Sequence, residues 1–194
     1  LENYLQKNYN YSFTEQVAEN YLSQNKNEKA YALYEEILAE NPVSVGTHIT
    51  LAKLYFANKK YDQALKHIDQ AIVLAPYVSS YWDTKGRIYH SMNDLTKAKE
   101  SLQRSIYLSP TNYSARSSLR FLEGKKDLFD YFQKNNVDSM YQNAPSAVQY
   151  PEDHSVILLN DEQRIFYPEG ASETRGEILI KVFNQSGIDA WKEY

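Results

Sequence analysis

The residues with chemistry to offer are scattered along the chain. The four histidines, His48, His67, His90 and His154, include no pair at the i, i+4 helical spacing of a zinc motif, so no metal site is expected. His48 and His90 read instead as surface or groove residues. Glu35-Glu36 and Glu152-Asp153 are sequence neighbours, which diverge on a helix or strand and so do not flank a substrate as acid and base. The absence of cysteine removes a thiol nucleophile, a disulfide and Cys-ligated zinc. Gly124-Lys125-Lys126 follows a helical run and reads as a helix end, not a phosphate loop. No catalytic residue, cofactor or metal ligand is assigned, and no enzymatic activity is expected of these residues.

Composition is that of an ordinary globular protein. The chain is 42% hydrophobic and 24% charged, and its 21 basic against 25 acidic residues give a net charge of −4. Lys59-Lys60 and Lys125-Lys126 are the basic doublets near helical segments, too little for a nucleic-acid footprint. No apolar run approaches the roughly 20 residues that span a bilayer. The chain opens at Leu1 without Met or a signal-like stretch, so it is expected to be a segment of a longer polypeptide.

The elements that would position any site repeat. Pro42, Pro76 and Pro110 recur at one interval (76 − 42 and 110 − 76 both give 34). Ala18, Ala52 and Gly86 share that interval, as do Tyr21, Tyr55 and Tyr89, and Ala30, Ala64 and Ala98. Each unit reads as two helices: Ser12–Ser23 with Glu28–Glu40, Ser44–Ala57 with Tyr61–Leu74, and Ser79–Ser91 with Asp94–Leu108. Small residues sit where the paired helices cross, and a bulky side chain at Ala64 should overpack the crossing. Asn27 and Asp94 are expected N-caps.

Trp82, Gly86, Tyr89, Ala98 and Pro110 resemble the tetratricopeptide signature. Thr14 and His48 depart from it at the tryptophan position. The resemblance covers about Ser12 to Leu122 and implies a mostly α fold: a right-handed α-solenoid of helix-turn-helix repeats, followed by a small β-hairpin. Residues 1–11 are expected to end a preceding repeat or form an N-terminal cap. Residues 12–143 form the array, with repeats at 11–44, 45–78 and 79–112 and capping helices over 113–143. Within that cap, Tyr113–Leu122 and Asp127–Asn135 are the expected helices. Residues 144–154 read as a linker.

Residues 155–194 read as a partial β domain, with strands Ser155–Tyr167 and Thr174–Asn184 around the turn Pro168-Glu169-Gly170. Tyr150-Pro151, Ser155–Leu159, Phe166–Gly170, Ile180–Asn184, Gly187–Asp189 and Trp191-Lys192 resemble the opening of a β domain that precedes transglutaminase-like cores in Bacteroidetes-type bacterial proteins. That resemblance implies a parent polypeptide continuing into a Cys-His-Asp enzyme, in an extracytoplasmic location. None of its catalytic residues falls in this sequence.

The first helix of each repeat would line a concave groove, its inward residues stacking at the repeat interval. One column is Glu19, Lys53, Arg87 and Phe121; a second is Glu15, Ile49, Asp83 and Ser117; a third is Leu22, Phe56 and His90. Lys53 and Arg87 could meet a carboxylate of a peptide, a partner protein or a downstream domain. The plainer alternative pairs Glu19 with Lys53 and Asp83 with Arg87 as solvated ions. The chaperone-tail-binding subset of the family needs Lys and Asn in these columns, and Glu15, Glu19 and Thr84 do not supply them. Self-assembly through the hairpin edge is a further expectation.

Overall fold

The structure is a computed structural model and describes residues 11–192. The expected helix end at Leu1–Lys7 lies outside the described residues. Two compact units divide the chain, Leu1–Glu123 and Gly124–Tyr194.

The first unit contains α1 (Tyr11–Ser23), α2 (Asn27–Glu40), α3 (Val45–Ala57), α4 (Tyr61–Leu74), α5 (Ser79–Ser91), α6 (Leu95–Leu108) and α7 (Tyr113–Leu122). Helices pack most closely as the pairs α1–α2, α3–α4 and α5–α6, and each pair then packs on its chain neighbour. This nearest-neighbour stacking is the solenoid expected from the repeat. Ala18, Ala30, Ala52, Ala64 and Ala98 are all 0% exposed. Gly86 takes the same role where even a methyl group would not fit, since a Cβ there would lie 2.9 Å from the Leu102 Cγ. Around these crossings lie two apolar clusters, one built on Tyr31, Tyr34, Ile37 and Leu51, the other on Ile68, Ile72 and Ile88.

Two local devices recur at the repeat interval. Asn25, Lys59 and Asn93 are left-handed, with φ of 57°, 58° and 61°, and end the first helix of each repeat. At each, the next residue's N–H bonds back to the column tyrosine carbonyl: Lys26 to Tyr21, Lys60 to Tyr55, Asp94 to Tyr89. These are Schellman turns, in which Asn tolerates positive φ better than Lys59 does. The turns between repeats share a different lock. His48 Nε2, Trp82 Nε1 and Arg116 Nε lie 3.2, 3.0 and 2.8 Å from the carbonyl oxygens of Pro42, Pro76 and Pro110. Three unlike side chains thus donate the same hydrogen bond six residues back, which explains why the tryptophan position accepts them. Side-chain caps do not follow the interval: Ser44, Asp94 and Asn112 cap α3, α6 and α7, while Lys60 and Val78 precede α4 and α5 without one. Asn27 is not the cap expected of it. Lys26 precedes α2 without a side-chain cap, and the Asn27 amide donates to Asn58 Oδ1 at 3.1 Å, joining the first two repeats.

In the second unit the expected helix Asp127–Asn135 is replaced by a 3₁₀ turn, Leu128–Tyr131, followed by α8 (Val137–Gln142). Asp127 accepts from the Phe129 N–H at 2.8 Å and so caps the start of the turn. Residues 124–143, expected to cap the array, group with this unit: Arg175 lies 4.2 Å over the Phe129 ring, and Asn135 donates to Asp161. The stretch 144–154 holds one 3₁₀ turn, Ala147–Gln149. Strands β1 (Ser155–Phe166) and β2 (Ser172–Val182) form an antiparallel hairpin, and Leu158 is left out of the pairing by a bulge. A helix not expected from the sequence, α9 (Gln185–Trp191), closes the unit, capped by Asn184 and tied to β1 by Trp191 Nε1 donating to Ser155 Oγ at 3.0 Å.

Candidate functional site

The predicted groove residues fall on α1, α3, α5 and α7, the first helices of successive repeats. Glu15 and Glu19 are exposed on α1. Ile49 is half-buried, its side chain part of the second apolar cluster. Lys53 is exposed on α3 and enters no ion pair within 4.0 Å among the described residues. Glu19 and Lys53 therefore do not form the pair that would have neutralised them. Asp83 and Arg87 sit one turn apart on α5 without an ion pair within 4.0 Å, although the Arg87 charge is felt at Asp83.

Two contacts join the columns diagonally. The Arg87 guanidinium lies 5.8 Å over the Phe56 ring, linking α5 to α3. The His90 and Phe121 rings meet edge to face at 6.1 Å, linking α5 to α7. Each contact joins a third-column residue to the first-column residue of the next repeat. Arg87 is thus held by an aromatic face with its hydrogen-bond donors free of a carboxylate. Phe121 remains 71% exposed.

Asp83 is the least comfortable member. It is half-buried, and its Oδ1 is enclosed without a hydrogen-bond partner. Burial raises its pKa above the ordinary carboxylate value, with Arg87 opposing. On α1 the charges of Glu19 and Glu15 reach Tyr34, whose phenol is pushed up first by burial and then by these carboxylates.

His48 is not a surface residue. It is 7% exposed, and its ring faces His67 between the two helices of the second repeat. Helical spacing gave no hint of this pair, because the two histidines lie on different helices. The signal was His48's place 34 residues before Trp82, the position that donates to a proline carbonyl. A second cluster also escaped the spacing argument. Lys85 lies over the rings of Trp82 and Tyr89, Lys97 over Tyr89, and Arg104 over Trp82 and Tyr107. Lys85 and Lys97 are paired with Asp69 and Asp94, so this ladder reads as a stay between α5 and α6.

Among the described residues no group of three or more His, Asp or Glu side chains could hold a metal ion, and no helix is long and apolar enough to cross a membrane.

Comparison with known proteins bears on the array alone. Two family models described as tetratricopeptide repeat match residues 21–88 and 79–112. The general transcriptional corepressor trfA of Dictyostelium discoideum is 29% identical over 83 residues, 43% of this chain and 6% of the relative. Anaphase-promoting complex subunit 7 of the same organism is 28% identical over 85 residues, 44% of this chain and 15% of the relative. This chain therefore spans a small part of either protein. Among solved structures, the first tetratricopeptide domain of Spaghetti (RPAP3), bound to the HSP90 peptide SRMEEVD, is similar in fold with a TM-score of 0.53. Its sequence is 22% identical, and the match covers 59% of this chain and 90% of that one. Repeat interval, helical pairing and matched family models agree that residues 21–112 of this chain are tetratricopeptide repeats.

Proposed function

We propose that the chain is a non-catalytic interaction module whose first-helix face receives an extended peptide or protein segment, with Lys53 and Arg87 meeting a carboxylate. The observation that carries this reading is that both cations are without an ion pair within 4.0 Å among the described residues, while Phe56 holds Arg87 in place. Half-buried Phe56 and Ile49 offer apolar steps beside the charges, and Phe121 offers an exposed ring at the next repeat. A similarly folded domain holds an acidic peptide, which supports a ligand of this size. The columns here carry Glu15, Glu19 and Thr84 where the chaperone-tail subset has Lys and Asn, so a different acid-containing sequence is expected.

A random peptide library displayed on phage and selected on the chain tests this. The enriched peptides should place Asp or Glu beside apolar residues. Lys53→Glu and Arg87→Glu should each weaken the selected peptide about tenfold, or about 1.4 kcal/mol. Unchanged affinity in both variants removes these cations from the site.

A second reading concerns the C-terminal unit. Its sheet has two strands, each with one unpaired edge, a form that is marginal alone and calls for further strands or a second copy. Together with the resemblance of residues 150–192, this supports a substrate-presenting region of an extracytoplasmic bacterial transglutaminase-like enzyme. A coding frame that runs past Tyr194 into Cys, His and Asp in that order supports it, and a stop codon there ends it.

A further inference from the structure

His48 on α3 and His67 on α4 are 7% and 2% exposed, with their Nδ1 atoms 3.2 Å apart. Each ring has an oxygen in front of its outer nitrogen. The Pro42 carbonyl lies 3.2 Å from His48 Nε2, and Glu35 Oε1 on α2 lies 3.1 Å from His67 Nε2. A carbonyl only accepts, so His48 carries its proton on Nε2 and, when neutral, presents a lone pair at Nδ1. Neutral His67 then has one proton for two contacts. On Nδ1 it bridges to His48 and leaves a lone pair against the Glu35 carboxylate. On Nε2 it bonds Glu35 and leaves two Nδ1 lone pairs facing each other. Three contacts need three protons, and two neutral imidazoles supply two.

We propose that His48, His67 and Glu35 form a one-proton switch at the junction of the first and second repeats. With the third proton all three contacts close, and an imidazolium at His67 holds Glu35. Without it His67 donates to His48, and Glu35, whose side chain is 42% exposed, turns to solvent. The contact that opens and closes joins α2 of one repeat to α4 of the next.

The groups around His67 set where the switch operates. Glu35 faces it from α2, His48 and the stacked Tyr55 ring, 5.6 Å away, face it from α3, and Lys66 stands beside it on α4. Tyr31 of α2 lies behind Tyr55 at 4.6 Å. Burial lowers the His67 pKa most strongly, Glu35 raises it, and His48 and Lys66 lower it. Uptake therefore falls on the acid side of ordinary histidine, and Glu35 is released as pH rises through that depressed value.

Imidazole NMR on the full chain across a pH titration reads the switch, with His90 and His154 as internal controls. His48 and His67 should move together in one step that takes up a single proton. Glu35→Gln keeps the hydrogen-bond acceptor and removes its charge, and should shift that step about one unit to lower pH. Because Glu35 is half exposed, this variant should keep the fold. Separate midpoints with one proton for each ring overturn the proposal, as does an unmoved midpoint in Glu35→Gln. Stoichiometric zinc binding that is lost in His48→Gln also overturns it, since a metal would then lie between the two Nδ1 atoms.

Discussion

Asp83 shows how a single residue can weaken a fold that displays it. Its carboxyl is raised in the folded chain by burial, so the native state holds that proton more tightly than the unfolded chain does. Stability from this group is full below the unfolded carboxylate value and is lost as pH rises through the raised one. Asp83→Asn should therefore raise the melting temperature at pH 7, and the gain should shrink toward pH 3; circular-dichroism melts at both values check it. A lower melting temperature at pH 7 would show that the enclosed oxygen has a stabilising role. If Asp83 also reads a donor on the partner, the same variant binds the selected peptide less well despite its greater stability. Sequence spacing put Asp83 and Arg87 on one helix face, which the structure keeps. It did not reveal the Phe56–Arg87 contact, because that pair forms between helices through the stagger of adjacent repeats. His48 was misread for a related reason: its partner, His67, belongs to another helix.

At the scale of the element, the turn between repeats depends on one hydrogen bond donated by whatever occupies the tryptophan position. Trp82→Phe keeps a ring for Lys85 and Arg104 and removes the donor to the Pro76 carbonyl, together with some of the indole surface packed on the second apolar cluster. It should cost about 1 kcal/mol, the usual net worth of such a bond. Trp82→Arg, the residue used at position 116, should recover part of it. Urea denaturation of the three proteins tests the order, and equal stability of Trp82→Phe and the parent would show that the bond is idle. The elements most legible in sequence were those fixed by period. Proline, tyrosine and alanine columns placed six helices to within a few residues, because each column marks a crossing or a turn required in every unit. The elements missed have no period behind them. Apolar Leu128, Phe129 and Phe132 suggested a helix, but Asp127 and the docking of Phe129 under Arg175 favour a single 3₁₀ turn. Helix α9 is too short for a periodic signal, and its cap at Asn184 was read as a strand end.

The two units differ in what holds them, and that difference is measurable. The first unit contains nearly all of the buried apolar side chains; among the described residues from 124 onward only Phe129 and Ala171 join them. A solenoid adds stability repeat by repeat, since each helix pair needs only its neighbours. The second unit is a two-stranded sheet with Ile157, Phe166 and Ile178 exposed, a form that is marginal in water. A segment cut to residues 11–123 should therefore keep a helical far-ultraviolet spectrum and melt cooperatively, while residues 124–192 should melt broadly, without a sharp transition. The junction of the first two repeats is the array's polar seam, where Asn27 meets Asn58, Glu28 meets Lys60 and Glu35 meets His67. Because burial depresses His67, its contribution to stability is full above the ordinary histidine value and lost as pH falls through the depressed one. Amide hydrogen exchange at pH 7 and pH 5 should then show the change in protection confined to the helices that meet at His67, α2, α3 and α4, with α5 and α6 unchanged. Uniform loss along the array would mean that the seam has no special part in its response to acid. A sharp melt of the isolated second unit would mean that its edges need no partner, and would remove the structural argument for missing strands.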